Sequence, residues 1–124
     1  MDKKEFDAII KQPPNIRYDY FIKKVVDYEE VWGLYNDGWA TAKDEKDNLL
    51  IPFFPKKVFA ENCAEKEWAA YEAKLLGLDE FIEKWLTGMK KDGIKPSIFP
   101  TEVNTAVVSI DVIIKDLETE LENY

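Results

Sequence analysis

The stretch Val31-Trp32-Gly33-Leu34-Tyr35-Asn36-Asp37-Gly38-Trp39-Ala40 constrains the fold more than any other, because a turn signal separates two aromatic-rich extended runs. Gly38 can take positive φ without a Cβ clash, and Asn36 and Asp37 tolerate the neighbouring turn positions. The pattern predicts a β-hairpin over Val31–Ala42, with strands near 31–35 and 39–42 and a three-residue loop. Tyr35 then faces Trp39 across the ladder, an aromatic pair worth roughly 0.2–1 kcal/mol. Such a hairpin registers a larger, mainly antiparallel sheet.

Helical spacing brackets this hairpin. Asp2 followed by Glu5 has the form of a capping box, and Phe6, Ile9 and Ile10 recur at helical intervals, so a short peripheral helix is expected over residues 3–11. Pro13-Pro14 stops it. Asn15 is placed to cap a second helix carrying Tyr18, Phe21, Ile22 and Val25. Lys43 to Asn48 reads as a solvated loop, and Leu49-Leu50-Ile51 as a third antiparallel strand ended by Pro52 and Pro55. A helix carrying Val58, Phe59 and Cys63 follows.

Residues 68–76 are ambiguous. Their alanines favour helix, yet a strand in the second half leaves Asp79 to cap a helix containing Phe81, Ile82, Trp85, Leu86 and Met89. Gly93 stands where a C-terminal glycine is expected. Residues 94–99 read as a strand held to an edge or bulge by Pro96. A turn over 100–104, a partner strand over 105–109 and a last helix capped by Ser109 complete the chain. Expected core residues are Phe21, Val25, Trp32, Leu34, Phe81, Trp85 and Leu117. Together these elements describe one α+β domain over residues 1–124, with helices near 15–28 and 79–91 packed on the sheet.

The blocks Arg17-Tyr18 with Phe21, Val31-Trp32-Gly33-Leu34 with Gly38-Trp39-Ala40, and Ile51-Pro52-Phe53-Phe54-Pro55 occur in that order. Asp79-Glu80-Phe81, Lys84-Trp85-Leu86, Asp92-Gly93-Ile94 and Phe99-Pro100-Thr101 follow. In this order the chain resembles a small bacterial family known as domain of unknown function 2750, from about Asn15 to the C-terminus. The resemblance implies a shared fold and no established activity. Its pattern is more strand-like over 70–76 than this alanine-bearing segment.

Composition excludes more function than it suggests. With 124 residues, 46% of them hydrophobic, a real core is possible. The net charge of −8 argues against sequence-independent nucleic-acid binding, which needs a basic footprint on phosphates. No apolar run approaches a membrane span, and Met1-Asp2-Lys3-Lys4-Glu5 does not begin a secretory signal. A lone cysteine, Cys63, fits a reducing compartment, so a cytoplasmic location is expected.

The absence of histidine removes imidazole-dependent triads within one chain. Cys63 reads as a small hydrophobe, Ser109 as a helix cap, and Asp44, Glu45, Asp47 and Asn48 as a turn lacking the glycine and distal glutamate of a calcium loop. No glycine spacing makes a phosphate loop. No catalytic residue, metal site or cofactor is therefore expected.

What remains is binding. Tyr35, Trp39 and Trp68 are candidate exposed aromatic anchors, and Arg17 is either an anion clamp or a solvated, salt-bridged helix residue. Asp111, Asp116, Glu118, Glu120 and Glu122 face only Lys115 near the C-terminus. That acidic face, with Glu118 and Glu122 at the rim, suits a basic protein partner. The resulting expectation is a non-enzymatic protein-binding module that neutralises a basic partner, with self-association open. A small-molecule-binding domain or carboxylate-based hydrolase is the competing reading.

Overall fold

The computed structural model describes residues 2–64, 68–101 and 103–123. The chain begins with α1 (Lys3–Ile10) and α2 (Pro14–Tyr28), then β1 (Glu30–Tyr35), β2 (Ala42–Lys43) and β3 (Leu49–Phe53). Helix α3 (Lys57–Cys63) and strand β4 (Glu72–Gly77) lead into α4, residues 78–92, whose middle segment Phe81–Leu86 is a π-helix. Strands β5 (Lys95–Ile98) and β6 (Ala106–Val107) precede the last helix, α5 (Ile110–Leu121). The class is α+β, as expected, with mostly antiparallel strand pairs and helices packed on them.

Two sheets carry the strands, β1-β4 and β2-β3-β5-β6. They meet at Phe54, whose N–H donates to the Trp32 carbonyl at 2.7 Å and whose carbonyl accepts the Trp32 N–H at 2.9 Å. The hairpin turn forms with its three-residue loop: the Asn36 N–H donates to the Gly38 carbonyl at 2.9 Å, and Tyr35 bridges Trp39. Asp37, not Gly38, takes the left-handed conformation, at φ 56°. Beyond that bridge the expected second arm does not continue. Ala42 and Lys43 turn away to pair with β3, and the ladder partner of β1 is β4, with Tyr35 opposite Glu72 and Val31 opposite Leu76.

Strand β3 is antiparallel to β2, as expected, but its other neighbour is not antiparallel. β3 and β5 run parallel, Ile51 facing Pro96 and Phe53 facing Ile98, which requires a long crossover. Residues 54–94 supply it. Strand β5 is consequently interior, which corrects the expected edge position. Pro96 is tolerated because β6 pairs only with Ser97 and Ile98, leaving Pro96 a sheet neighbour on one side alone.

Local signals hold where a side chain satisfies its own helix end. Ser109 caps α5 by accepting the Val112 N–H, and Asp2 caps α1 by accepting the Lys4 N–H. Other expected caps move. Pro14 occupies the first position of α2, where its missing N–H costs nothing, and Asn15 falls inside the helix. Gly77 precedes α4, so Asp79 sits in its first turn, where a carboxylate suits the helix dipole. Glu5 accepts the Tyr20 hydroxyl at 3.0 Å, which ties α1 to α2.

Helix α1 is not peripheral. Ile9 is buried and Phe6 stacks on Phe59 at 5.2 Å. The core is continuous from α1 to α5 and includes Phe21, Val25, Leu34, Phe81 and Leu117, each fully inaccessible. Trp32 and Trp85, expected in it, are only half-buried at its margin.

Candidate functional site

Trp85 owes its position to the π-segment. The buried residues of α4 are Leu78, Phe81, Leu86 and Met89, a rhythm in which Phe81 and Leu86 share a face although they are five positions apart. A π-turn takes about one more residue than an α-turn, and this one rotates Trp85 off the buried line. Its indole meets Trp39 edge to face at 5.1 Å and 79°. Trp39 in turn meets Tyr35 at 5.2 Å and 74°.

The backbone of β1 makes room for this cluster at Gly33. A Cβ there would lie 2.7 Å from Trp39 Cζ3 and 3.0 Å from Cε3, so the ring rests on bare backbone. Opposite Gly33 in the ladder stands Lys74. Its ammonium lies 3.9 Å from the centre of the Tyr35 ring and 5.7 Å from that of Trp39, a cation over two π-faces.

Charges of both signs border the rings, and the Lys84 ammonium lies 6.0 Å from the centre of the Trp85 ring. Glu80 accepts the Trp85 indole N–H at 3.1 Å, Glu72 is the strand partner of Tyr35, and Asp37 forms the turn. All three are exposed. Trp85, Gly33, Lys74 and Glu80 are not legible in the sequence as site residues, because a uniform 3.6-residue period assigns Trp85 to the core. The three-five-three spacing of Leu78, Phe81, Leu86 and Met89 is the signal that could have separated it.

The other candidates do not join this cluster. Trp68 is half-buried against the core and its carbonyl accepts the Tyr71 N–H at 3.0 Å just ahead of β4. No ring contact among the described residues links it to Tyr35 or Trp39. The Glu65-Lys66-Glu67 run before it lies outside the described residues, as does Glu102 of the 100–104 turn. Glu118 and Glu122 are exposed at the end of α5, and no hydrogen bond or ion pair among the described residues connects them to the rings.

Arg17 is not solvated, being 2% exposed, and among the described residues it forms no salt bridge. Its Nε–H donates to the Phe99 carbonyl at 3.0 Å and Nη1 to the Gln12 carbonyl at 2.7 Å. Nη2 donates to both the carbonyl and the side-chain Oδ1 of Asn104 at 2.8 Å. The planar fork thus ties the entry of α2 to the end of β5 and the loop after it. Burial alone lowers the guanidinium pKa from its usual value, since desolvation disfavours the charged form. Phe99, which it holds, has φ 50°, a strained conformation for a bulky side chain.

The remaining sequence candidates read as structure. Asp44 accepts the backbone N–H groups of Lys46 and Asn48 at 2.9 Å and the Asn48 amide at 3.0 Å. Those bonds, the Asn48 side chain first, hold its carboxyl below the usual range. Cys63 is half-buried, 3.9 Å from the Pro100 carbonyl. Among the described residues no group of three or more Cys, Asp or Glu is disposed to hold a metal ion, and no helix is long and apolar enough to cross a membrane.

A family model described as a protein of unknown function, DUF2750, matches residues 18–121. The chain belongs to that family. Tyr35, Trp39 and Trp85 lie within the matched span, whereas Arg17 stands one residue before it and Glu122 one after. No curated protein and no solved structure matches the chain.

Proposed function

We propose that this DUF2750 member is a non-enzymatic, cytoplasmic protein-binding module that takes a basic partner on its Tyr35, Trp39 and Trp85 face. The observation that carries the reading is the edge-to-face contact of three half-buried aromatic rings, bordered by the exposed carboxylates of Asp37, Glu72 and Glu80 and by the ammoniums of Lys74 and Lys84. Tryptophan and tyrosine dominate binding energy when they are pre-packed, since they bury large area at little entropic cost. Trp39 and Trp85 already brace each other. Asp37, Glu72 and Glu80 supply the acidic rim, and the net charge of −8 extends the same field to steer a basic surface inward.

The test starts with capture from the native lysate on immobilised parent protein, followed by binding kinetics with the purified captured protein. Trp39→Ala and Trp85→Ala are expected to raise the dissociation rate, while Glu72→Lys with Glu80→Lys lowers a salt-sensitive association rate. Glu118→Lys with Glu122→Lys measures how far the acidic rim extends along α5. If the folded tryptophan variants bind like the parent, or the captured protein is not basic at the contact, the reading fails.

A further inference from the structure

Strand β1 has neighbours on both sides, β4 on one and the Phe54 bridge on the other. Strand β4 pairs with β1 alone among the described residues. Its ladder runs unbroken from Gly77 to Glu72, and it holds no proline, so neither a bulge nor a missing donor blunts this edge. Glu72, Lys74, Leu75 and Gly77 are exposed along it.

The phase of the ladder fixes which backbone groups face outward. Trp32 spends its N–H and its carbonyl on Phe54, so both point away from β4, and Trp32 stands opposite Leu75. That pair is therefore a non-hydrogen-bonded one. The Leu78 N–H donating to the Glu29 carbonyl at 3.0 Å sets the same phase. Glu72, Lys74 and Leu76 thus turn their peptide groups toward β1, and Ala73 and Leu75 turn theirs to the open edge, where neither has a backbone partner among the described residues.

An antiparallel strand added by a second copy must set outward residues against outward residues, which leaves three registers centred on Ala73 and Leu75. Ala73 opposite Leu75 brings Lys74 against Lys74, and Leu75 opposite Leu75 brings Lys74 against the buried Leu76. Ala73 opposite Ala73 instead brings Glu72 against Lys74 twice, at the non-hydrogen-bonded positions where side chains lie closest. The same register lays Tyr71 beside Leu75, which is 47% exposed in the single chain. An edge lysine ordinarily deters strand addition; here Glu72 answers it.

We infer that two copies of the chain associate through β4 in this register, forming a continuous β1-β4-β4-β1 sheet. The two-fold axis of such a pair is perpendicular to the sheet. Gly33 and Tyr35, which stand opposite Lys74 and Glu72, then come to one face in both copies, so the dimer presents its aromatic cluster twice. The association itself involves this chain alone and does not rest on the binding of a basic partner.

The test is sedimentation equilibrium of the full-length protein from micromolar to millimolar concentration at fixed ionic strength. The parent is expected to show a reversible monomer–dimer equilibrium. Ala73→Pro removes an outward N–H and spares the β1 ladder, so it should abolish the dimer while keeping the parent's near-ultraviolet circular dichroism. Glu72→Lys, at an exposed side chain, gives a second reading independent of the proline: it should weaken association about tenfold or more. Glu72→Lys with Lys74→Glu should restore it, a rescue that a merely structural role would not produce. A parent that stays monomeric at every concentration, a dimer that persists in folded Ala73→Pro, or a charge swap that fails to restore association overturns the proposal.

Discussion

Replacing Arg17 with methionine, which keeps length and removes charge and donors, tests whether the carbonyl clamp holds the α2 entry against β5. Four charge-assisted hydrogen bonds are lost. At roughly 1.5–3 kcal/mol net for each, the simple sum overshoots, and two effects reduce it. Methionine removes the desolvation cost of a buried cation, and water can replace the partners of Gln12 and Asn104, whose contacts are only part-buried. The Phe99 carbonyl bond is the buried one. Leaving that carbonyl unpaired costs about 1–3 kcal/mol, and the strained φ of 50° at Phe99 loses the contact that maintains it.

The net expectation is a loss of about 2–4 kcal/mol, a large fraction of the ~5–15 kcal/mol available to a domain. Urea denaturation followed by circular dichroism should show the midpoint falling by about 1–2 M, for a slope of roughly 2 kcal/mol per M. Arg17→Lys should recover little, since a single nitrogen cannot span acceptors on Gln12, Phe99 and Asn104. A midpoint unchanged in Arg17→Met, or restored fully by lysine, would refute the reasoning.

Three further outcomes follow from the packing. Phe81→Ala, at a fully buried ring 4.8 Å from Phe53, should cost about 3–5 kcal/mol and Trp85→Ala distinctly less; the reverse order by urea denaturation would show that the π-segment does not rotate Trp85 outward. Gly33→Ala should cost about 1–3 kcal/mol through overpacking and shift tryptophan emission as the Trp39 ring is displaced; an unchanged spectrum and midpoint would place the ring elsewhere. Burial, then the hydrogen bond to Asp116, pushes the Tyr18 phenol above its usual pKa of 10.0, so the folded state retains a proton that the unfolded chain loses. That stabilisation is complete below pH 10 and falls as pH rises toward the folded value; melting temperatures of Tyr18→Phe should decline less steeply than the parent's above pH 10, and parallel declines would contradict the shift.

Much of the local structure is legible in the residues themselves. Ser109 and Asp2 cap the helices they precede, and Asn36 to Gly38 turn the chain in three residues. Phe21 and Val25 mark the buried face of α2. Each of these depends on interactions within a few positions of the residue concerned, where capping geometry, turn conformation and hydrophobic period act directly.

Other features depend on partners distant in the chain. Strand β1 pairs along its whole length with β4, from Glu30 opposite Gly77 to Tyr35 opposite Glu72, because the ladder and the core beneath it reward that pairing more than continuation of the hairpin. Arg17 is buried because carbonyls 82 and 87 positions away converge on it, which no helical period foretells. Trp85 leaves the core because Phe81 and Leu86 gain more by sharing the buried face than a regular α-turn allows. Hydrophobic period states that a residue has a preferred side; only the summed long-range packing decides what stands on that side, and that sum exists only in the folded chain.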